Sequence, residues 1–509
     1  MSTAARAGIE TMNHGNSIPS RDQQFLLPPD MREWLPEHHL VWVIEALVGD
    51  LETSAFTKRR RRATTASRAG QPGYDPDMLL VLLLYAYSVG QRSSRGIEKL
   101  CGTDIAFRVA CAGDIPDHTV ISRFRADNIE AFSDLFAQVL AECVRAGMGN
   151  VGVIAIDGTK IAANASIDAN RKEPYLRRLI DEITDEAEAA DNDDALLGDD
   201  DDDDETARKA VIYNASRLDR AKECVESFDE GKDNVTSTPI RRAEDVLDRR
   251  QHRYQRMYDQ QLKKYEGWRA SPDRDRRKPC MHPDELMLLK KRWAVIEESK
   301  TRIQALKDKT FAQRTGQASR RNLTDPQSRL MKARTGFVQG YNTQFAVSDD
   351  HVIVAAEVFT DAVDVHLFEP MLRATDRELK AATGGQGSVG VVLADAGYHS
   401  KENLAVDGPD RLISDRKARI LAAGVVSETS QYPLVQAMRE KLATEENMQL
   451  YRRRAALVET INAWVKEWLG MRRLSMRGHV KAIGEVKLIA AVINILRLHS
   501  RQAGALPAG

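Results

Sequence analysis

Two short stretches of this chain are apolar at nearly every position, and each leads directly into an aspartate. Residues 151–156 precede Asp157, and residues 389–394 precede Asp395; each stretch has one glycine at its second position. Such runs predict strands covered on both faces, inside a sheet flanked by helices. We expect each strand to end at its aspartate, where open α/β sheets keep their ligands.

That placement suggests a function for both carboxylates. Asp157 and Asp395 could face each other across one divalent metal site, because the carboxyl ends of neighbouring strands lie together. The alternative for either residue alone is a turn former or helix cap.

A third acidic residue lies on a predicted helix near the C-terminus. Apolar side chains recur there at helical spacing and would dock the helix on the sheet; they are Leu457, Ile461, Trp464, Val465 and Trp468. Arg452, Glu459 and Lys466 follow at intervals of seven, along another line of the same helix. The helix could therefore offer a carboxylate to a metal ion and a cation to a phosphate. A solvated, salt-bridged face is the alternative.

The first 148 residues predict an all-helical unit. Helices should begin at Asp75, with proline at the first turn, after the serine pair 93–94, and near Asp117. In the third of these, Arg123 and Arg125 should point outward, as in the second helix of a helix-turn-helix pair. An ordinary packed helix is the competing interpretation.

Residues 171–317 are rich in charged residues and poor in strand patterns. The acidic run near 189–206 should be a disordered loop because its charges repel one another. The rest predicts long amphipathic helices, including a hairpin, and both ends must return to the same edge of the sheet.

After this insertion the strand pattern resumes. Two β-rich runs flank residues 348–351 as a hairpin, a helix covers 365–381, residues 408–447 read as a second insertion, and an apolar helix covers 482–498. Arg329 and Lys332 would meet phosphate if their segment borders the site.

Composition limits the classes of partner. The 509 residues carry 74 Lys plus Arg against 75 Asp plus Glu, a formal net charge of −1. Global charge therefore gives no support for nucleic-acid binding, and a DNA surface must come from local clusters. The five cysteines form no CxxC pair and are expected to be reduced thiols. No apolar run is long enough to cross a bilayer, so the sequence predicts a cytoplasmic protein without membrane contact.

These residues carry a resemblance. Asp157 in "IDGTK", Asp395 in "LADAGYHS", and Glu459 with Lys466 in "Y…R…VE…K" resemble the acidic triad and Tyr-Arg-Glu-Lys signature of bacterial insertion-sequence DDE transposases. The stretch from "QPGYDPDML" to "DHTVISRFR" resembles the helical N-terminal domain of that group, and "RRLSMRGHVKAIGEVKLIAAVINILRL" resembles its last segment. Four residues separate Arg454 from Glu459 where the family has three, which leaves the arginine open among 452–454.

The resemblance implies a fold and its domains. It implies a ribonuclease-H-like mixed sheet at 149–170 and 318–505, an all-helical N-terminal domain at 1–148 for DNA binding or dimerisation, and the charged helical insertion at 171–317. Within the sheet, Tyr341, Asn342 and Gln344 are weaker candidates for site residues.

The resemblance also implies a chemistry. Two Mg²⁺ ions, which Mn²⁺ could replace, would be bridged by Asp157 and held by Asp395 and Glu459. Lys466 would grip a DNA phosphate, and Tyr451 with Arg452 or Arg454 would orient the substrate.

The expected activity is cleavage of element-end DNA and transfer of the freed strand to target DNA, by a nucleoid-associated homodimer. Glu467 and Glu485 are rivals for the third acid. Two other functions stay open: a DNA-binding relic without catalysis, and a ribonuclease-H-like nuclease without strand transfer.

Overall fold

The computed structural model describes residues 30–56, 73–194, 205–233, 238–272, 279–307, 320–333, 336–415 and 432–504. The basic stretch at 58–62 lies outside these ranges. Among the described residues, no helix has both the length and the apolar character needed to cross a membrane.

The N-terminal region is helical as predicted. Its helices are α1 Leu40–Asp50, α2 Pro76–Ser88, α3 Ser94–Thr103, α4 Ile105–Ala110, α5 His118–Asp127 and α6 Ala131–Arg145. The predicted starts are confirmed by capping side chains: Asp75 accepts a hydrogen bond from the Met78 amide, and Ser93 accepts one from the Gly96 amide. Helix α2 is buried from Leu79 to Ser88 and forms the centre of this region.

One mixed sheet forms the rest of the core, as the α/β prediction requires. Its strands are β1 Val153–Ala162, β4 Arg329–Ala333, β5 Gly336–Ser348, β6 Ile353–Phe359, β7 Val391–Ala394 and β8 Asp410–Ile413. Central β1 pairs antiparallel with β5 and parallel with β7, and β8 extends the sheet in parallel beyond β7. Strands β4 and β6 both pair with the far side of β5, at successive positions along it. The β5–β6 hairpin confirms the predicted turn at 348–351.

Two strand predictions were wrong. Strand β1 does not end at Asp157, because its antiparallel pairing with β5 continues to Ala162 opposite Gly340; only the parallel pairing with β7 stops at Ile156 opposite Ala394. Residues 410–413 form an edge strand of the main sheet and do not belong to a second insertion, and Leu412 and Ile413 are fully buried in it.

The charged insertion leaves and re-enters through a small ribbon. Strand β2 Asn170–Lys172 pairs antiparallel with β3 Arg320–Asn322, so both ends of the insertion meet as expected. Between them lie four long helices: α7 Glu173–Asp194, α8 Glu205–Asp233, α9 Thr238–Arg269 and α10 Met287–Lys307. Helices α9 and α10 form the predicted hairpin, in which the Tyr254 and Trp293 rings lie 5.2 Å apart. Part of the acidic run predicted as a disordered loop is helical, because α7 continues through 189–194 and α8 begins at Glu205; residues 195–204 lie outside the described ranges.

The remaining helices follow the sheet. They are α11 Phe368–Ala382, α12 Lys401–Ala405, α13 Pro433–Ala443, α14 Glu445–Ala463 and α15 His479–Gln502. In α15, the Asn494 side-chain amide accepts a hydrogen bond from the Ile353 amide and donates one to its carbonyl, which fixes this helix on β6. The same helix packs on α6. Buried residues of the N-terminal helices and of the sheet therefore lie in one continuous cluster.

Helix α14 continues into a π-helical turn at Trp464–Trp468. Within it the Leu469 amide donates to the Trp464 carbonyl, five residues earlier. This wider turn changes which side chain faces the core. Leu469 is fully buried, whereas Trp468, predicted to pack inward, is 71% exposed.

Candidate active site

The two strand-associated aspartates lie side by side. Ile156 is paired with Ala394, so Asp157 and Asp395 each occupy the next position on neighbouring parallel strands. Burial raises the pKa of Asp157 to about 6, with further increases from Asp395 and Asp364; the Gly158 amide and Arg454 act in the opposite direction. A buried carboxyl group beside a second carboxylate ionises readily only when a cation offsets the charge. This pair of oxygen donors therefore fits a divalent cation such as Mg²⁺.

The turn after β7 fixes Asp395. The Gly397 amide donates to Asp395 Oδ1 at 2.8 Å. A Cβ atom at position 397 would lie 2.9 Å from the same oxygen, so only glycine permits this approach. The turn thus holds the second carboxylate at the edge where the parallel ladder ends.

A third carboxylate in this region, Asp364, was missed by the sequence analysis. Its Oδ1 accepts hydrogen bonds from Lys160 Nζ at 2.9 Å, Asn342 Nδ2 at 2.7 Å and Gln344 Nε2 at 3.1 Å. Asp364 is partly exposed and raises the pKa of Asp157. Asp364 does not directly follow an apolar run, because β6 ends five residues earlier at Phe359, and so it lacked the pattern that marked the other two aspartates.

Two amide side chains on β5 could have indicated from the sequence that a partner such as Asp364 lies nearby. Asn342 and Gln344 are two positions apart and so share one face of the strand, and both are completely buried. Buried amides need hydrogen-bond partners, and Asp364 supplies one. Tyr398 completes the network by donating from its hydroxyl to Gln344 Oε1. By contrast, Tyr341 is a structural residue whose hydroxyl bonds Asp325 at 2.7 Å.

One of the three consecutive arginines reaches the carboxylates. Arg454 Nη1 lies 3.6 Å from Asp157 Oδ2. Arg453 pairs with Asp349, and Arg452 lies on the surface, 3.8 Å from Glu445. Helix α14 thus presents Arg454 to the aspartates.

The remaining signature residues lie farther along the same helix. Tyr451 is half-buried against the main core. Glu459 is exposed, and its carboxylate does not form a compact trio with Asp157 and Asp395. In the described part of the chain, three ligand atoms within 4.8 Å of one another occur at Glu98, Asp117 and His118 instead.

Lys466 lies in the π-helical turn and is half-buried. Burial lowers its pKa, as do Arg472 and Lys160, while Glu467 raises it. Because Lys160 also bonds Asp364, Lys466 shares an electrostatic environment with the carboxylates.

The two rival glutamates have partners outside the aspartate pair. Glu485 is completely buried, pairs with Arg92 at 2.6 Å and accepts hydrogen bonds from Ser475. Glu467 pairs with Arg472 on the surface. Both contacts are structural.

The structure does not bring the four other predicted DNA-binding residues to the carboxylates. Arg329 is opposite Gly340, which pairs with Ala162, so it lies five residues (roughly 16 Å) along the strands and two strands across from Asp157. Its side chain bonds the Pro326 and Ser328 carbonyls. Lys332 lies still farther along the same edge, opposite Phe337, and is exposed.

The predicted orientation of Arg125 was wrong. Arg123 is exposed on α5 as expected, but Arg125 is only 7% exposed. It lies four residues after buried Ile121 and so on the same inward face of the helix. Its guanidinium bonds the Tyr87 hydroxyl at 3.0 Å and the Arg92 carbonyl at 2.9 Å.

Two family models match parts of the chain. A transposase domain (DUF772) matches residues 29–127, and a transposase DDE domain matches residues 418–499. No curated protein and no solved structure matches. The second match contains Glu459 and Lys466 but neither aspartate. Together the two matches support a DDE-type transposase, and with it DNA as partner and dependence on a divalent metal ion.

Proposed function

We propose that this chain is an insertion-sequence transposase that cleaves element-end DNA and joins the freed strand to target DNA. The proposal rests on the adjacency of Asp157 and Asp395 where the parallel pairing of β1 with β7 stops, with the first carboxyl group half-buried and its pKa raised. A central strand flanked by an antiparallel hairpin and by two parallel strands supports a ribonuclease-H-like catalytic domain.

The carboxylates are assigned as metal ligands. Asp157, Asp395 and Glu459 would hold the divalent ions, which would supply activation of the attacking oxygen and stabilisation of the leaving oxygen of the phosphodiester. Mg²⁺ keeps several of its waters, so few protein ligands suffice. Mn²⁺ would substitute for it.

Helix α14 would carry the third acid to the aspartates. Arg454, five residues before Glu459, already lies 3.6 Å from Asp157, so the helix is anchored beside the pair. We infer that Glu459 turns inward when metal and DNA are bound, since its exposed side chain is free of the core.

The basic residues would position DNA. Lys466 in the π-helical turn would contact a phosphate near the cleavage point, and Tyr451 with Arg454 would orient the strand. Arg454 fills the arginine position of the signature in this proposal, because it is the residue of the three that approaches a carboxylate.

The test is strand cleavage and strand transfer on labelled duplexes carrying the element ends, with Mg²⁺ or Mn²⁺. Asp157→Asn, Asp395→Asn and Glu459→Gln should each lower both reactions by at least about 10²-fold, since each removes a charged ligand. Glu467→Gln, on the same helical segment but paired with Arg472, is the matched control and should stay active.

Three outcomes would contradict parts of the proposal. A fully active Glu459→Gln enzyme would exclude Glu459 as the third acidic ligand. Cleavage without any joined product would indicate a nuclease of the same fold. Tight binding of element ends with no metal-dependent cleavage would indicate a DNA-binding relic. The predicted homodimer is tested separately by light scattering on the DNA-free and DNA-bound protein.

A further inference from the structure

A polar cleft of about 500 Å³ lies away from the carboxylates, on the helical N-terminal region. It is bounded by the turn between α2 and α3, by α5, and by Ser475 in the loop that follows the π-helical turn. Its ten lining residues are four arginines, one histidine and five serines or threonines, with no carboxylate and no apolar side chain. The arginines are Arg92, Arg95, Arg123 and Arg125. This lining is complementary to an anion.

Of the two inner arginines of the cleft, one has a carboxylate partner and the other does not. Arg92 is paired with the buried carboxylate of Glu485. Arg125 bonds only a hydroxyl and a carbonyl, and no carboxylate of the described residues lies within ion-pair distance of it. The Nε atoms of both Arg92 and Arg125 are buried without a hydrogen-bond partner.

A buried guanidinium without a counter-ion is costly in free energy. An unpaired guanidinium that lines a cleft is stabilised if a ligand supplies the missing anion. Arg95 and Arg123 are exposed at the rim, and their planar forks suit phosphate oxygens.

The two helices that begin at the cleft favour the same ligand. Helix α3 begins at Ser94 after the Ser93 cap, and helix α5 begins at His118 after Asp117, whose carboxylate accepts a hydrogen bond from the Thr119 amide. Helix N-termini attract anions. The negative groups nearby, Glu98 and Asp117, are both directed at His118, at 3.0 and 3.5 Å.

We propose that this cleft binds a phosphate of the DNA backbone, at a point separate from the carboxylates. The choice of DNA over another phosphate compound rests on the proposed function; the anion site itself rests on the unbalanced arginines.

The cleft is joined to the catalytic helix through Arg92. Its guanidinium donates to the Gly470 carbonyl at 2.8 Å and the Arg473 carbonyl at 2.7 Å. Both residues follow the turn that holds Lys466. A phosphate bound beside Arg92 and Arg125 would thus stabilise the loop that continues from Lys466, and one DNA strand could be held by both surfaces.

The first experiment measures binding of a fluorescent DNA duplex by anisotropy, in EDTA, over a range of NaCl concentrations. Without metal, cleavage cannot contribute, so the result is independent of whether the chain is a transposase. Arg95→Gln and Arg123→Gln should each weaken binding and should lower the slope of log K against log salt by about 0.9, the value for one lost phosphate contact. Arg108→Gln, an exposed arginine of α4 outside the cleft, is the matched control and should leave the slope unchanged.

The second experiment identifies the source of the phosphate. Inorganic phosphate should raise the melting temperature of the wild type above that in NaCl of equal ionic strength, and Arg125→Met should abolish the increase. If phosphate stabilises the protein while both rim variants bind duplex with the wild-type slope, a free phosphate compound is the ligand and the DNA assignment is overturned. If neither phosphate nor the rim variants have an effect, the anion site is overturned.

Discussion

Half-buried Asp157 and buried Arg125 each lack a full complement of opposite charge among the described residues. Asp157 has Asp395 and Asp364 near it and one cation, Arg454, at 3.6 Å, while Arg125 has only neutral hydrogen-bond partners. In both cases the missing opposite charge could be supplied by a ligand, because each side chain lies beside a surface that a ligand can reach. A metal cation would balance the Asp157 carboxylate, and a phosphate would balance the Arg125 guanidinium.

The raised pKa of Asp157 makes metal-free stability depend on pH. A carboxyl group whose pKa is higher in the folded state stabilises the fold at low pH, and this contribution is lost as pH rises from the ordinary value of 3.8 through about 6. Asp157→Asn should therefore be more stable than the wild type at pH 8 by about 1–3 kcal/mol, with the advantage shrinking towards pH 4. Urea unfolding in EDTA at both pH values measures it, with exposed Asp168→Asn as control. An equal loss of stability at both pH values would refute the expectation.

Metal binding should show the complementary pH dependence. Because the proton and the metal compete for Asp157, the apparent affinity for Mg²⁺ should be constant above pH 7 and fall by up to about tenfold per pH unit below pH 6. Calorimetric titration of the wild type measures this, and Asp157→Asn should bind weakly at every pH. A wild-type affinity that does not change between pH 5 and 8 would exclude Asp157 as a ligand.

At the scale of elements, the polar face of β1 and β5 determines the environment of the aspartates. Lys160, three residues after Asp157, bonds Asp364 in the turn that follows β6, so one cation already neutralises part of the carboxylate cluster. The two apolar strands of this arrangement were predictable, because a run of apolar residues indicates a strand that is buried on both faces. The contact between Lys160 and Asp364 was not predictable, because it depends on the register that places Lys160 opposite Asn342.

Removing that cation should strengthen metal binding. Lys160→Met deletes a positive charge that repels an incoming divalent ion and leaves Asp364 available as a further ligand. The dissociation constant for Ca²⁺, measured by calorimetry, should fall several-fold. Lys172→Met, an exposed lysine of β2, should leave it unchanged. Weaker Ca²⁺ binding by Lys160→Met would mean that Lys160 orders the site instead of opposing the metal.

The turn after β7 should be intolerant of a methyl group. Gly397→Ala would place a carbon 2.9 Å from Asp395 Oδ1 and displace that carboxylate, so Mg²⁺-dependent cleavage should fall at least about tenfold while the melting temperature changes little. The control is Gly102→Ala, a position with nothing within 4 Å of the added carbon. Unchanged cleavage by Gly397→Ala would show that Asp395 can shift without loss of function.

At the scale of the whole molecule, the helical N-terminal region, the sheet and the terminal helix α15 share one core. The sequence predicted the helices of that region well, because caps such as Asp75 and Ser93 are local signals. It did not predict that β8 extends the sheet, since four residues carry too little pattern, nor that Arg125 turns inward, since that depends on Tyr87 and the Arg92 carbonyl. The proximity of Asp157 and Asp395 was predicted from the apolar runs that precede them, although β1 continues past Asp157.

The α9–α10 hairpin is attached to this core through Asp248. That carboxylate accepts hydrogen bonds from Lys401 Nζ at 3.1 Å and from the Tyr432 hydroxyl. Asp248→Asn should loosen the hairpin, seen as faster hydrogen exchange in α9, while global stability changes by less than about 1 kcal/mol, because the pair is partly exposed. Asp259→Asn, on the same helix, is the matched control. Unchanged exchange in Asp248→Asn would show that other contacts hold the hairpin.

The short β2–β3 ribbon separates the long charged arm from the main sheet. Asn170 and Asn322 are paired across the two strands. The chain therefore enters and leaves the arm at points about 5 Å apart. Insertions, deletions or a fused reporter module beyond the ribbon need not disturb the spacing of the carboxylates. The arm is thus a position where the chain can change in length, or where a protein module can be inserted, without displacing the carboxylates.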